Sequence, residues 1–128
     1  IHKFTKLISE NQEIPFYGDG STARDYTFID DIVAGIVKSI EYVEKNSNVY
    51  ETINLGESQV ITLNEMLSGI EKELGKVANK KNLPIQLGDV QKTNADIEKA
   101  KNLINYLPKT NYQNGIKIFV EWFLRNNN

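Results

Sequence analysis

Cysteine is absent from all 128 residues, so neither a disulfide nor a thiolate metal site can be built from this chain. Histidine occurs once, at His2, which leaves little for zinc. No run of about 18 apolar residues exists, so nothing reads as a membrane-spanning helix. Neither charge sign dominates: 15 Lys and Arg face 17 Asp and Glu, a net charge of −2. A nucleic-acid binder usually shows a basic patch, so that class of partner is disfavoured. No basic segment with a cleavage-site pattern opens the chain, which therefore does not read as a signal peptide. Repeats, low-complexity tracts and linkers are also lacking. What is present is ordinary for a soluble domain: 40% hydrophobic and 25% charged residues, enough to bury roughly two-thirds of the unfolded surface. The lack of thiols fits a reducing, cytoplasmic compartment. The first residues, Ile1, Phe4, Leu7 and Ile8, already have helical spacing without a cap. A processed terminus would explain this, but a chain cut in mid-helix from something longer explains it better.

Hydrophobic periodicity predicts alternating elements. The opening helix ends near residues 9–12, and Ile14-Pro15-Phe16-Tyr17 reads as a short edge strand. Asp25 to Ile29 reads as a second extended piece. Ile29, Ile32, Val33, Ile36, Val37 and Ile40 form the stripe of an amphipathic helix, with Asp30 as its expected N-cap. Tyr50 to Leu55 alternates like a strand and stops at Gly56. Thr62-Leu63-Asn64-Glu65 is a capping box before Met66, Leu67, Ile70 and Leu74. Residues 76–82 are expected to be a surface loop and Leu83 to Leu87 a strand. Asp96 is placed to cap a short helix that buries Ile97, Ala100 and Ile104 and ends at Leu107-Pro108. Ile116, Phe119, Val120 and Phe123 line a last helix, with Trp122 out of phase. The whole chain, 1–128, reads as one α/β unit.

Four features bear on chemistry. Gly18-Asp19-Gly20-Ser21-Thr22-Ala23 has the letters of a dinucleotide fingerprint, which works only where a helix opens within the glycines. Arg24 to Phe28 prefers extended structure instead, so a plain glycine turn is the better reading. Arg24 offers a permanent charge and a planar fork of donors suited to a pyrophosphate; the competing reading is a surface arginine paired with Asp25 or Asp30. Phe16 and Tyr17 alternate along a strand, which would put one in the core and leave the other to face a ligand, but on the residues alone two core aromatics are the favoured reading. Asp30 and Asp31 do not converge on one point, and a structural role at a helix start accounts for both.

The run Ile14-Pro15-Phe16-Tyr17-Gly18-Asp19-Gly20-Ser21-Thr22-Ala23-Arg24-Asp25-Tyr26-Thr27-Phe28-Ile29-Asp30-Asp31-Ile32-Val33-Ala34-Gly35-Ile36 resembles the C-terminal part of NAD-dependent sugar-nucleotide epimerases of the extended short-chain dehydrogenase/reductase family. Tyr50 to Gly56, Thr62-Leu63, and Gly88-Asp89-Val90 through Thr93, Ala95-Asp96 and Lys99-Ala100 to Pro108-Lys109-Thr110 agree in order and spacing. The likeness covers essentially the whole chain and looks closest to the UDP-glucuronate 4-epimerase branch. It implies a small mixed α/β substrate-binding domain, with the Rossmann domain that binds NAD and carries a Tyr-x-x-x-Lys pair lying outside this chain. Carried over by position, Tyr17 would flank the uracil, Arg24 would bind the diphosphate and Val60 would line the base or ribose. Gln86 and Asp89 would fall where the family contacts ribose and phosphate.

There are departures. Many relatives have an arginine near Gln86 that shares the diphosphate, and none stands there. Asn105 replaces a glycine, a mild change because Asn tolerates a left-handed helix end. No tyrosine has a lysine four residues on; those positions hold Ser21, Asp30, Asn46, Asn54, Thr110 and Ile116. The implied enzyme oxidises the sugar C4 hydroxyl with NAD, lets the keto-sugar turn, and returns the hydride to the other face. This chain would hold the UDP-sugar (UDP-glucuronate or UDP-galacturonate), bind no NAD itself and be inactive alone, with the N-terminal Rossmann domain and a second copy as partners. Alternatives are the same role in a 4,6-dehydratase or reductase, and a non-catalytic interaction module. The fragment reading predicts exposed apolar side chains; the module reading predicts a well-hidden apolar surface.

Overall fold

A computed structural model describes residues 1–127. Helix α1 (His2–Ser9) leads into strand β1 (Glu13–Tyr17), and a glycine turn leads to β2 (Ala23–Asp25). Helix α2 (Ile29–Lys45) follows, then β3 (Val60–Thr62), α3 (Leu63–Leu74), β4 (Asn79–Leu83), α4 (Glu98–Ile104) and α5 (Tyr112–Asn126). The strands form two small ladders. β1 pairs in parallel with β4, Glu13 opposite Asn79 through Tyr17 opposite Leu83, and β2 pairs antiparallel with β3, Arg24 opposite Ile61. The mixed α/β architecture is the one implied by the sequence.

Two apolar clusters hold these elements. The larger joins Ile8, Ile14, Phe16, Ile61, Met66, Leu67, Ile70, Tyr112, Ile116 and Val120. The smaller joins Ile97, Ala100, Ile104 and Tyr106, with Tyr42, Ile53 and Leu55 packed against it. Helix α3 starts on the capping box read from the sequence: Thr62 accepts from the Glu65 amide at 3.1 Å, and Glu65 accepts from the Thr62 amide at 2.8 Å. It ends at Gly75 in the left-handed region (φ 64°). Asn105 closes α4 in the same conformation at φ 51°, as its sequence position suggests.

Five expectations need correction. Helix α2 begins two residues early, so Phe28, in extended backbone, is the N-cap position, and Asp30 lies in the first turn without capping it. The second extended piece pairs at Ala23–Asp25, because the glycine turn lays these residues beside β3. Residues 50–55 run without a ladder; Ile53 and Leu55 alternate inward to the smaller cluster, and no strand lies beside them. Residues 79–83 are a strand rather than a loop, and only Leu83 of the expected 83–87 strand belongs to it. Its Lys- and Asn-rich sequence hides this because β4 is held by backbone pairing to β1 while its side chains stay in water. Finally, Asp96 stands one residue before the cap position Ile97, yet its carboxylate still accepts from the Glu98 amide at 3.0 Å.

Candidate functional site

The site grows from the turn at 18–22. Gly18 (φ 69°) and Gly20 (φ 81°) both take left-handed backbone that favours glycine. The Asp19 carboxylate accepts from the Ser21 amide (2.9 Å) and hydroxyl (2.6 Å), which holds its pKa below the ordinary aspartate value. The turn is fastened to the start of α3: Asn64 donates through its amide to Gly20 O (3.1 Å) and through its side chain to Asp19 O (3.0 Å). A Cβ at Gly20 would come within 2.3 Å of the Asn64 side chain. Close approach, as well as φ, therefore fixes glycine there.

Strand β2 leaves this turn between two neighbours. One is β3; the other is the segment at Gln91–Thr93, where Ala23 donates to Gln91 O (2.8 Å) and accepts from the Thr93 amide (3.1 Å). The Arg24 guanidinium donates to Ala23 O at 2.8 Å and pairs with the Asp89 carboxylate. Its side chain is 28% exposed and that of Asp89 39%. Two of five guanidinium donors are used in this way, leaving the rest available to an anion. Asp89, and neither Asp25 nor Asp30, is thus the partner of Arg24.

The other expected site residues fall around this pair unevenly. Tyr17 ends β1 and is 37% exposed, while Phe16 is buried, so strand alternation divides them and the pair are not both core aromatics. Gly18 donates to Leu83 O and its α-carbon abuts Ile85, which brings the 83–89 segment against the Tyr17 turn. Gln86 is exposed and its carbonyl accepts from the Asp89 amide at 3.1 Å, closing a tight turn that presents Asp89. Tyr17, Arg24, Gln86 and Asp89 therefore share one rim. Val60 stands opposite Asp25 in the ladder, on the side of the pleat away from Arg24. Gly20 opens onto a strand and no helix starts within the glycines, so this turn does not fit a dinucleotide cradle.

Behind the rim lies a group of carboxylates, Asp25, Asp31 and Glu57, of which the sequence singled out the first two but not Glu57. Asp25 accepts from the amides of Glu57 (3.1 Å), Ser58 (3.0 Å) and Ala95 (3.0 Å), fastening two loops to the strand that carries Arg24. It also lines an open cleft of about 460 Å³ with Asn54, Thr93 and Asn94. The buried Asp31 accepts from the amides of Lys109 and Thr110, both at 2.9 Å. Glu57 has a buried oxygen without a hydrogen-bond partner; burial, with the charges of Asp31 and Asp25 beside it, raises its pKa. Burial, with these same carboxylates, also raises the Tyr106 phenol, whose hydroxyl donates to Gly56 O at 3.1 Å. Long sequence separations hid these contacts. Among the described residues no cluster of three or more His, Cys, Asp or Glu converges to hold a metal.

The sequence profile of the family described as GDP-mannose 4,6 dehydratase matches residues 1–119. The chain belongs to the extended short-chain nucleotide-sugar epimerases and dehydratases. Among members of this family it is 39% identical to the UDP-glucuronate 4-epimerase of Thermodesulfobacterium geofontis, over 98% of this chain and 38% of that protein. It is 44% identical to an uncharacterized protein of Methanocaldococcus jannaschii, over 97% of this chain and 37% of that one. The UDP-glucuronic acid 4-epimerase of Bacillus cereus, crystallised with UDP-glucuronic acid and NAD, superposes with a TM-score of 0.88 at 31% identity, over 98% of this chain and 39% of that one. The chain thus spans about two-fifths of the length of these relatives.

Proposed function

We propose that this chain is the substrate-holding part of an NAD-dependent UDP-sugar 4-epimerase, acting on UDP-glucuronate or UDP-galacturonate in the cytoplasm. Arg24 grips the diphosphate, Tyr17 flanks the uracil, and Asp89 with Gln86 meets the ribose and phosphate. The carrying observation is Arg24: a guanidinium aimed by Asp89 at the mouth of a glycine turn, with donors to spare. The epimerase relatives crystallised with UDP-glucuronic acid support the choice of ligand.

The chain's work is positioning. It holds the nucleotide so that the sugar lies against a nicotinamide bound by the N-terminal part of a longer enzyme. NAD supplies hydride chemistry in that enzyme; this chain alone binds none and turns nothing over. The aliphatic side chains exposed on α2 favour a part of a larger protein over a self-contained interaction module.

Calorimetric titration with UDP tests the reading. The wild type binds, and Arg24→Ala weakens binding by at least about tenfold, the size of a lost charge-assisted hydrogen bond. Equal binding by both would sink the assignment of Arg24. A second reading, a 4,6-dehydratase, is favoured by the description of the matching family. GDP binding in place of UDP would select it.

A further inference from the structure

Arg24 and Asp25 are neighbours on β2, so their side chains leave opposite faces of the strand. By charge alone, a carboxylate beside a phosphate-binding guanidinium works against an anionic ligand. What Asp25 does instead is hold backbone. One of its oxygens accepts from the Glu57 amide at 3.1 Å, and the other accepts from the amides of Ser58 and Ala95, both at 3.0 Å. Its own amide donates to the Thr93 hydroxyl at 3.4 Å. Ser58 takes a left-handed φ of 59° without being glycine, a conformation that costs energy and is held where its amide meets Asp25. The space around the carboxylate is closed. A Cβ at Gly56 would lie 2.4 Å from the Ala95 Cβ and 3.0 Å from Asp25 itself, and the Tyr106 hydroxyl pins the Gly56 carbonyl.

Both of the loops tied in this way lead directly to the rim. Ser58 runs into β3, whose Ile61 stands opposite Arg24. Ala95 closes the segment that carries Asp89 and pairs through Gln91 and Thr93 with Ala23. The stretches of chain on either side of Arg24 are therefore fastened to one carboxylate behind it.

We infer that Asp25 is a positioning residue for diphosphate binding: it ties the 57–58 and 93–95 loops to β2 and so keeps Arg24 and Asp89 aimed at the phosphates. It acts through Arg24, its own oxygens being taken by three amides. The inference rests on the reading of Arg24 as the diphosphate ligand. Positioning and plain charge predict opposite signs. Were Asp25 only a nearby negative charge, neutralising it would tighten the hold on an anion, and a longer carboxylate would change nothing. A tie of fixed length is weakened by both changes. Asparagine sets an NH2 group against at least one of the three amides, and glutamate displaces the carboxylate by a methylene into closed space.

The test is a set of titrations with UDP and with uridine, which lacks the phosphates. Asp25→Asn and Asp25→Glu are each expected to weaken UDP binding about tenfold while uridine affinity stays within about twofold. In an Arg24→Ala background, Asp25→Asn should change UDP affinity less than about twofold, because a residue acting through Arg24 has nothing left to aim. Hydrogen exchange in Asp25→Asn should quicken at the Ser58 and Ala95 amides and keep wild-type rates in α3 and α5, which separates a loosened tie from a failed fold. Tighter or unchanged UDP binding by Asp25→Asn would overturn the inference. So would an equal loss for uridine, or the full tenfold loss repeated without Arg24. An Arg24→Ala variant that binds UDP as the wild type does removes the diphosphate reading, and this inference with it. An Arg24→Ala variant that binds weakly beside silent Asp25 variants removes this inference alone.

Discussion

Two carboxylates of this chain do opposite things with buried surroundings. Asp31 is buried with both oxygens accepting from backbone amides. Removing it as Asp31→Ala leaves the Lys109 and Thr110 amides without partners, for an expected loss of roughly 2–4 kcal/mol in chemical denaturation. Glu57 is the converse case: its pKa is raised by burial and by Asp31 and Asp25 beside it. A raised folded-state value means that the fold holds this proton more tightly than the unfolded chain. The associated stability is present below the ordinary glutamate range and is lost as pH rises through the raised value. Glu57→Gln removes that loss. Thermal melts are expected to show a gain of roughly 2 °C at pH 8 and none at pH 4, a modest size because much of the residue meets solvent. A gain at pH 4 as well would mean that packing, not charge, is responsible. Arg24 could be read from its neighbours in the chain, but its partner Asp89 lies 65 residues away and the Asp25 contacts span up to 70, beyond the reach of local pattern.

Helix α3 carries its own instructions and strand β4 does not. In α3 the capping box, the inward Met66, Leu67 and Ile70, and the closing Gly75 are all adjacent in sequence and all act locally. Thr62→Ala is expected to cost about 1 kcal/mol, or roughly 4 °C in melting temperature. Because Asn64 in the first turn of α3 fastens the Gly18–Ser21 turn, the same substitution should also weaken UDP binding. A stability loss with unchanged UDP affinity would show that the turn keeps its shape without a firm helix start. Strand β4 has no such local code. Its NKKNL sequence lacks alternation because neither face is covered, and its pairing depends on β1, more than 60 residues earlier. Residues 50–55 alternate convincingly and stay unpaired, since burying every second side chain requires a core but not a neighbouring strand.

Taken as a whole, the molecule divides its aliphatic residues between two uses that sequence periodicity cannot tell apart. Ile70 on α3 and Ile40 on α2 occupy equivalent places in helical stripes, yet Ile70 is 0% exposed and Ile40 54%. The stripe on α2 reads as core because its pattern is that of a core helix; what differs is the body against which it packs. The consequence is measurable in this chain alone. Ile70→Ala opens a cavity in the larger cluster and should cost 2–5 kcal/mol, about the usual range for buried aliphatic truncations. Ile40→Gln should stay within about 0.5 kcal/mol of the wild type and reduce self-association, since more than half of the residue stays in water in the folded chain. A loss at Ile40 comparable to that at Ile70 would mean that α2 packs inward in solution, joining the two clusters into one core. The Asp31 and Gly35 contacts would then have to break, so a changed near-ultraviolet circular dichroism signal from Tyr106, which packs against Gly35, would accompany it. Intact tertiary signals with a silent Ile40→Gln would instead confirm that α2 keeps its polar side to this domain.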